Sequence, residues 1–221
     1  MAERIYQFWT DDQPDFNWLT RVTSEQGEYG MRFRYLSVLC RKCGAFSLDD
    51  VFRLGFDPCI KISVKKGRNI LVTEDHFLCV TQEILNSLNA ASVKGFASKP
   101  LPETGWHVLS IVQRQAFDSS IYKTEGRKCQ ECGRQGQYRI IEFERQIETP
   151  VEPLTFFCTA TERGQGGFDR FVTEPLLEVL RTAAAKGLTF RRLHNEDEEH
   201  QIDEKRKKHP SWNPKGSVVV M

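Results

Sequence analysis

Two copies of the pattern Cys-x-x-Cys-Gly constrain the fold of this chain more than any other sequence feature. The first spans residues 40–44 (CRKCG) and the second residues 129–133 (CQECG), an offset of 89 residues. A CxxC turn places two sulfur atoms on one side of a metal ion, and two such turns supply the four thiolates of a tetrahedral zinc site. The glycine after each pair can adopt a positive φ, which turns backbone N–H groups toward the thiolates.

The sequence therefore predicts one structural zinc ion held by Cys40, Cys43, Cys129 and Cys132. Four thiolates leave no open position for water, so a structural ion is favoured over a catalytic one. A redox dithiol is the alternative for either pair, but it does not explain a second copy. The 85 residues between the pairs far exceed the about 15–20 of a compact zinc ribbon. The metal would therefore join distant parts of the chain.

An internal repeat accompanies the cysteine pairs. Residues 77–101 and 169–193 align without a gap at an offset of 92 residues. The identical pairs are Val80/Val172, Thr81/Thr173, Leu85/Leu177, Leu88/Leu180, Ala91/Ala183, Lys94/Lys186, Gly95/Gly187 and Leu101/Leu193. In each copy a threonine can cap a helix with an apolar stripe at i, i+1 and i+4, and a Lys-Gly pair follows it. Each copy is predicted to form a strand, a helix and a second strand.

Together these features predict an α+β fold of two similar units, about 31–112 and 122–193. Each unit would contain a cysteine knuckle followed by a βαβ element, and the four-cysteine site, similar to a zinc ribbon, would join them. Residues 1–193 would form a single domain. The sequence leaves open whether the units pack as a pseudo-twofold sheet or as two lobes, and whether the chain dimerises.

Further strands are predicted where aromatic and β-branched residues cluster. They lie at 1–9, 31–39, 59–64, 69–73, 106–112, 138–147 and 154–161, with residues 65–68 as a hairpin turn between the third and fourth. Residues 194–221 are expected to be a charged tail, with an acidic block at 195–199 and a basic block at 205–208. These blocks could close on each other, form a solvated helix or stay disordered.

Composition narrows the classes of function. The formal net charge is +1 and hydrophobic residues make up 39% of the chain, which gives no electrostatic reason to expect nucleic acid or a membrane as the main partner. No apolar run approaches the about 18 residues of a membrane helix. A cytoplasmic location is therefore expected, where thiols stay reduced. Cys59, Cys79 and Cys158 lie in or beside predicted strands and are expected in the core.

No catalytic constellation is visible, so the chain is expected not to be an enzyme. Glu142 and Glu144 alternate along a predicted strand, which is more typical of a solvated face than of an acid–base pair. The glycine-rich residues 163–167 lack the Lys-Ser/Thr of a phosphate-binding loop. The histidines at 76, 107 and 194 are isolated in the sequence.

The double CxxCG, with a βαβ element after each pair, resembles the bacterial double-CxxCG motif family. The segments CRKCG, CQECG and FVTEPLLEVLRTAAAKGLTFRRL carry the resemblance, which extends from about Tyr6 to Leu193. That family includes immunity proteins that neutralise a toxin delivered by related cells. The resemblance implies a metal-stabilised module that binds a protein, with a cognate toxin as one such partner. Residues 194–221 depart from the family pattern.

A zinc-ribbon nucleic-acid-binding protein is the alternative function. It would require Arg32, Arg34, Arg41, Lys42 and Lys128 to gather near the metal with aromatic residues. The balanced total charge and Glu131 weaken this alternative. A protein partner is therefore favoured over nucleic acid.

Overall fold

A computed structural model describes the following residues of the chain: 4–10, 19–23, 29–64, 66–115, 122–133, 135–140, 152–159, 169–193, 201, 204–205, 207–208 and 218–221. The strands are β1 (Ile5–Thr10), β2 (Arg21–Thr23), β3 (Tyr29–Met31), β4 (Ile70–Val72), β5 (Leu78–Thr81), β6 (Phe96–Pro100), β7 (Trp106–Ile111), β8 (Arg114–Gln115), β9 (Tyr122–Lys128), β10 (Gln135–Ile140), β11 (Phe156–Thr159), β12 (Arg170–Thr173), β13 (Leu188–Arg192) and β14 (Val218–Val220). The helices are a 3-10 helix η1 (Phe33–Val38) and the α-helices α1 (Leu48–Leu54), α2 (Gln82–Ala90) and α3 (Glu174–Thr182).

Two large sheets organise this mixed α+β fold. The first sheet has the strand order β4-β5-β7-β6, and the second has the order β14-β13-β1-β12-β11-β8. Two separate hairpins, β2-β3 and β9-β10, complete the described strands. Each copy of the sequence repeat forms the expected strand, helix and strand, as β5-α2-β6 and β12-α3-β13.

The four strands β4-β5-β7-β6 match β11-β12-β1-β13 in order and register. Val80 in β5 lies opposite His107 in β7, and its repeat counterpart Val172 in β12 lies opposite Tyr6 in β1. The second partners of β7 and β1, which are β6 and β13, are related by the same offset of 92 residues. The N-terminal strand β1 therefore occupies the place in the second sheet that β7 occupies in the first. The boundaries 31–112 and 122–193 leave this strand out of the second unit.

The two repeat helices meet in a core that both sheets share. The apolar stripes predicted on α2 and α3 are confirmed, because all six of their residues are buried: Ile84, Leu85, Leu88, Leu176, Leu177 and Leu180. The threonine caps differ, because Thr173 Oγ1 accepts a hydrogen bond from the backbone of Leu176 while the side chain of Thr81 makes no cap bond.

The Lys-Gly pair after each helix docks onto the other unit. The carbonyl of Lys186 accepts hydrogen bonds from the backbone N–H groups of Asn69 (3.2 Å) and Ile70 (3.3 Å) at the start of β4. In the equivalent place, the carbonyl of Lys94 accepts from the N–H of Phe156 (3.1 Å) at the start of β11. These reciprocal bonds tie the two units together as a pseudo-twofold pair.

Most of the segment 31–39, which was expected to be a strand, forms the 3-10 helix η1 instead, and within it only Met31 lies in a strand, at the end of β3. Tyr35 is its one buried side chain, and its hydroxyl donates to the carbonyl of Gly55 (3.3 Å) and accepts from the N–H of Asp57 (3.3 Å). The segment packs with α1 over the outer face of the first sheet rather than at a sheet edge. No described strand pairs with η1, and short-range turn bonds form instead, from the N–H of Tyr35 to the carbonyl of Arg32 (2.9 Å) and from the N–H of Leu39 to that of Leu36 (3.4 Å).

The other strand predictions have mixed outcomes. β1, β4, β7 and β11 confirm a strand within each of the predicted ranges 1–9, 69–73, 106–112 and 154–161, of which residues 1–3, 160 and 161 lie outside the described part. β10 overlaps the start of 138–147, whose residues 141–147 also lie outside it. Residues 59–64 form no strand. β4 pairs with β5, and Ile60 packs in a core cluster that also contains Tyr35, Leu48 and Val51. Residue 65, in the predicted hairpin turn, lies outside the described residues.

The end of the expected tail belongs to the second sheet. β14 pairs antiparallel with β13, and the carbonyl of Met221 accepts a hydrogen bond from the N–H of Gly187 (2.6 Å). A run of three valines is typical of a strand, because β-branched residues favour the extended backbone. The acidic block at 195–199 lies outside the described residues.

Asp75 is a buried carboxylate that attaches the segment before β2 to the first sheet. Its Oδ2 accepts hydrogen bonds from the N–H groups of Leu19 (2.9 Å) and Thr20 (2.7 Å) and from the hydroxyl of Thr20 (2.7 Å). Its Oδ1 accepts from the hydroxyl of Thr73 (2.6 Å). Because every partner is a donor, the site accommodates a group that only accepts.

We expect Asp75→Asn to lower the free energy of unfolding by about 1–2 kcal/mol, since a neutral amide oxygen accepts the buried N–H bonds of Leu19 and Thr20 more weakly than a carboxylate does. Urea denaturation of the purified protein measures this change. Asp50→Asn is the control, because Asp50 is exposed and pairs with Arg53 on the same helix; its effect should stay within about 0.5 kcal/mol. Equal stability of the two variants would contradict the role assigned to Asp75.

Candidate metal centre

The two cysteine knuckles have the same local backbone. In the first, the N–H of Gly44 donates to the carbonyl of Cys40 (2.9 Å), and in the second the N–H of Gly133 donates to the carbonyl of Cys129 (2.9 Å). Gly44 has φ +70° and Gly133 has φ +73°. Both glycines thus adopt the left-handed conformation that the sequence pattern predicts, which favours glycine over other residues.

The structure brings the four predicted cysteines together. The sulfur atoms of Cys40 and Cys129 are 3.8 Å apart, those of Cys43 and Cys132 are 3.6 Å apart, and all four lie within 4.8 Å of one another. A tetrahedral site with metal–sulfur bonds of about 2.3 Å has sulfur–sulfur edges of about 3.8 Å. The cluster therefore has the dimensions of a zinc-ribbon-like site and can hold one metal ion.

These distances do not fit disulfides. A disulfide bond requires a sulfur–sulfur distance of about 2.05 Å. All seven cysteines lie in the described part of the chain, and each is a free thiol. The close sulfur contacts also join one knuckle to the other, as a shared metal requires.

Two thiols of the cluster have shifted pKa values. Backbone N–H groups of Cys132 and Glu131 lower the pKa of Cys129 to about 6. The N–H of Ala45 lowers the pKa of Cys43, but burial and proton sharing with the other thiols outweigh it and raise that pKa to about 12. The Cys129 thiol therefore loses its proton easily, whereas the Cys43 thiol holds its proton more tightly than usual. A bound divalent cation would displace those protons, because the thiolate is the metal ligand.

The position of the cluster shows what a metal would connect. The first knuckle follows η1, and the second is the turn of the β9-β10 hairpin, in which Lys128 pairs with Gln135. Among the described residues, this hairpin pairs with neither large sheet. A hydrogen bond from Lys42 Nζ to Gln130 Oε1 (3.3 Å) also joins the knuckles. A metal would therefore fasten the hairpin to the first unit.

The other cysteines have different environments. Cys79 and Cys158 are buried as expected, but Cys59, which was also expected in the core, is exposed. Its backbone N–H donates to the carboxylate of Asp57 (2.8 Å) in a turn. Because residues 59–64 form no strand, the side chain of Cys59 is not directed into a sheet core.

The five basic residues considered for nucleic-acid binding do not all gather at the cluster. Arg32 lies 3.8 Å from Asp57 with only 14% of its side chain exposed, and Arg34 donates to the carbonyls at the end of α1. Arg41, Lys42 and Lys128 are exposed at the knuckles. The carboxylates Glu142 and Glu144 and the glycine-rich residues 163–167 lie outside the described part.

One feature beside the site was not predicted from the sequence. Phe33 in η1 is 89% exposed and Leu36 is 47% exposed, just before the first knuckle. Their exposure follows from the 3-10 geometry, which turns Tyr35 inward and leaves its neighbours outside. A sequence pattern read as a strand gives no sign of this.

Comparisons with known proteins add no relative. No protein-family model matches the sequence, no curated protein matches it, and no solved structure matches the fold. Over the residues that the structure describes, no helix has the length and apolar character needed to cross a lipid bilayer.

Proposed function

We propose that this chain is a non-enzymatic protein-binding module whose scaffold holds one structural zinc ion at Cys40, Cys43, Cys129 and Cys132. The tetrahedral spacing of the four sulfur atoms supports the proposal most directly. Soft thiolate ligands in tetrahedral geometry favour zinc over the harder divalent cations. Because all four positions are protein ligands, the ion has a structural role rather than a catalytic one.

The exposed residues of η1 are the surface through which the module would bind. Phe33 presents a full aromatic side chain to solvent, and Leu36 adds apolar area beside it. Two side chains attach η1 to the end of α1. The Tyr35 hydroxyl and Arg34 Nε both donate hydrogen bonds to the carbonyl of Gly55. An exposed aromatic side chain on a backbone segment held by its neighbours is the kind of anchor that dominates protein interfaces.

The resemblance to the double-CxxCG family extends the proposal to a partner. A toxin of bacterial origin is the partner that this resemblance favours, with the chain acting as an immunity protein. The chain would block the toxin by occupying its surface, which requires no chemistry from the chain. The metal would keep η1 and the β9-β10 hairpin in fixed positions for that contact.

The test begins with the product of the neighbouring gene. Coexpression with this chain should restore growth to cells that the product alone inhibits, and calorimetry should show direct binding. Phe33→Ala should weaken that binding roughly 30-fold or more, as expected for an anchor residue. Val112→Ala is the control, since Val112 is 57% exposed and lies outside η1. Unrestored growth together with no binding would refute the immunity function.

Nucleic-acid binding remains the second candidate, supported by the exposed Arg41, Lys42 and Lys128 at the knuckles. Glu131 lies among them, and the formal net charge is only +1. A gel shift over a range of salt concentrations separates the two functions. The protein-binding proposal predicts no retained DNA or RNA at physiological salt, whereas tight binding that falls steeply with salt would favour nucleic acid.

A further inference from the structure

A cleft lies between α1, the first sheet and the second sheet, away from the cysteine cluster in the sequence. It has about 330 Å³ of empty space, including its mouth. Arg114 from β8 and Arg170 from β12 both line it, and Asp49 from α1 lines it as well. Both units of the pseudo-twofold fold thus contribute to one cleft, and two cationic side chains meet there.

Arg170 is a buried cation, with 8% of the residue exposed. Its one hydrogen bond to another described residue runs from Nη2 to the carbonyl of His76, and it forms no ion pair within 4.0 Å in the described part of the chain. The neighbouring Asp169 accepts from Gln7 Nε2 (3.0 Å). Burial lowers the pKa of Arg170 to about 10, so the guanidinium stays charged at neutral pH. A buried charge without a paired anion is costly.

Arg114 already has an anionic partner. Its Nη2 lies 2.7 Å from Asp49 Oδ2, and its Nη1 donates to the sulfur of Cys158. The hydroxyl of Ser110 also donates to Asp49 (3.3 Å). The lining therefore carries two guanidinium groups and one carboxylate. Arg170 is the one of the two arginines that has no ion-pair partner among the residues that the structure describes.

The remaining walls of the cleft are largely apolar. They include Leu48 and Phe52 from α1, Phe77 before β5, and Leu109 and Ile111 from β7. A buried cation that lines a cleft with largely apolar walls is complementary to a small molecule with an anionic head and a hydrocarbon body. The planar fork of a guanidinium matches the two oxygens of a carboxylate.

We propose that this cleft binds a small monocarboxylate with an apolar body, whose carboxylate pairs with Arg170. A monoanion is favoured over a phosphate dianion because the Asp49 carboxylate repels a second negative charge. This site is independent of the metal centre and of the η1 surface.

Benzoate is a suitable probe, with benzamide as its neutral analogue and inorganic phosphate as the dianion. Titrated into the full, metal-loaded chain and followed by NMR, benzoate should bind with a dissociation constant of about 1–5 mM, as expected for so few atoms. It should shift the Nε–H signals of Arg170 and Arg114. Benzamide and phosphate should each bind at least about ten-fold more weakly.

Asp49→Asn should tighten benzoate binding about five-fold, because it removes the repelling carboxylate while leaving the side chain in place. Asp50→Asn is the matched control on the same helix, since Asp50 pairs with Arg53 outside the cleft. It should leave the affinity unchanged. Both residues are substantially exposed, so both variants should fold.

The proposal is overturned if benzoate causes no shift at these side chains or if benzamide binds equally well. Phosphate binding as tight as benzoate binding would overturn the preference for a monoanion. If Asp49→Asn and Asp50→Asn changed the affinity for benzoate equally, the benzoate would be bound outside this cleft, and the assignment would also be overturned. Metal content and the η1 surface do not change in these variants, so the outcome is independent of the proposed function.

Discussion

Cys129→Ser is expected to release the metal and to lower the free energy of unfolding by about 4 kcal/mol. The loss is large because the four thiolates join parts of the chain that are 89 residues apart. The wild-type protein should contain one zinc ion per chain, and the variant almost none. Elemental analysis gives the metal content, and urea denaturation gives the stability.

Cys59→Ser is the control, since Cys59 is an exposed thiol outside the cluster. It should keep the metal and change the stability by less than about 0.5 kcal/mol. Amide exchange locates the effect, because exchange in the β9-β10 hairpin should rise more than exchange in α2 and α3. Unchanged metal content in Cys129→Ser would contradict the assignment of the site.

Gly187→Ala is expected to lower the free energy of unfolding by about 3 kcal/mol or more. Gly187 has φ +123°, and a Cβ there would lie closer than 3.0 Å to the carbonyl oxygen of Ile70. That oxygen belongs to the backbone of β4, so it cannot turn away as a flexible side chain would. Gly95 is in the same position against Phe156, and Gly95→Ala should have a similar cost.

Gly105→Ala is the control for Gly187→Ala. It measures the cost in stability of a positive φ alone, without the steric clash between Cβ and a neighbouring carbonyl oxygen. Gly105 has φ +73°, and a Cβ there would meet nothing within 4 Å. Its replacement should cost about 1 kcal/mol, the cost of a left-handed conformation. Thermal or urea denaturation compares the three variants. Similar losses at Gly105 and Gly187 would show that docking between the units contributes little.

The helices of the repeat could be predicted because their signals are local. Leu176, Leu177 and Leu180 form one face of α3, and Thr173 caps its first turn. Strand partners could not be predicted in the same way, because pairing joins residues distant in sequence and depends on what packs beside them. β1 pairs with β12 and β13 at the far end of the chain, and nothing in residues 5–10 indicates that.

The same difference between local and long-range signals applies to the cysteine cluster and the cleft. The cysteine cluster is marked by a short pattern that carries its own turn geometry, so the sequence alone assigns Cys40 and Cys129 to one site, and the fold brings them together. The cleft has no such pattern. Arg114 and Arg170 are brought to it by the pairing of β8 with β11 and of β11 with β12, and single arginines in a sequence give no sign of that convergence.

The place of β1 in the second sheet has a consequence for the origin of the fold. Suppose that the first half of the chain begins with β1 and the second half with β7. Each half then contributes its first strand to the sheet of the other half, because β1 pairs with β12 and β13 while β7 pairs with β5 and β6. A half-length ancestor with one CxxCG would satisfy the same pairing as a strand-exchanged homodimer, with the metal on its twofold axis. Gene duplication and fusion would then have converted a metal shared between two subunits into a link within one chain.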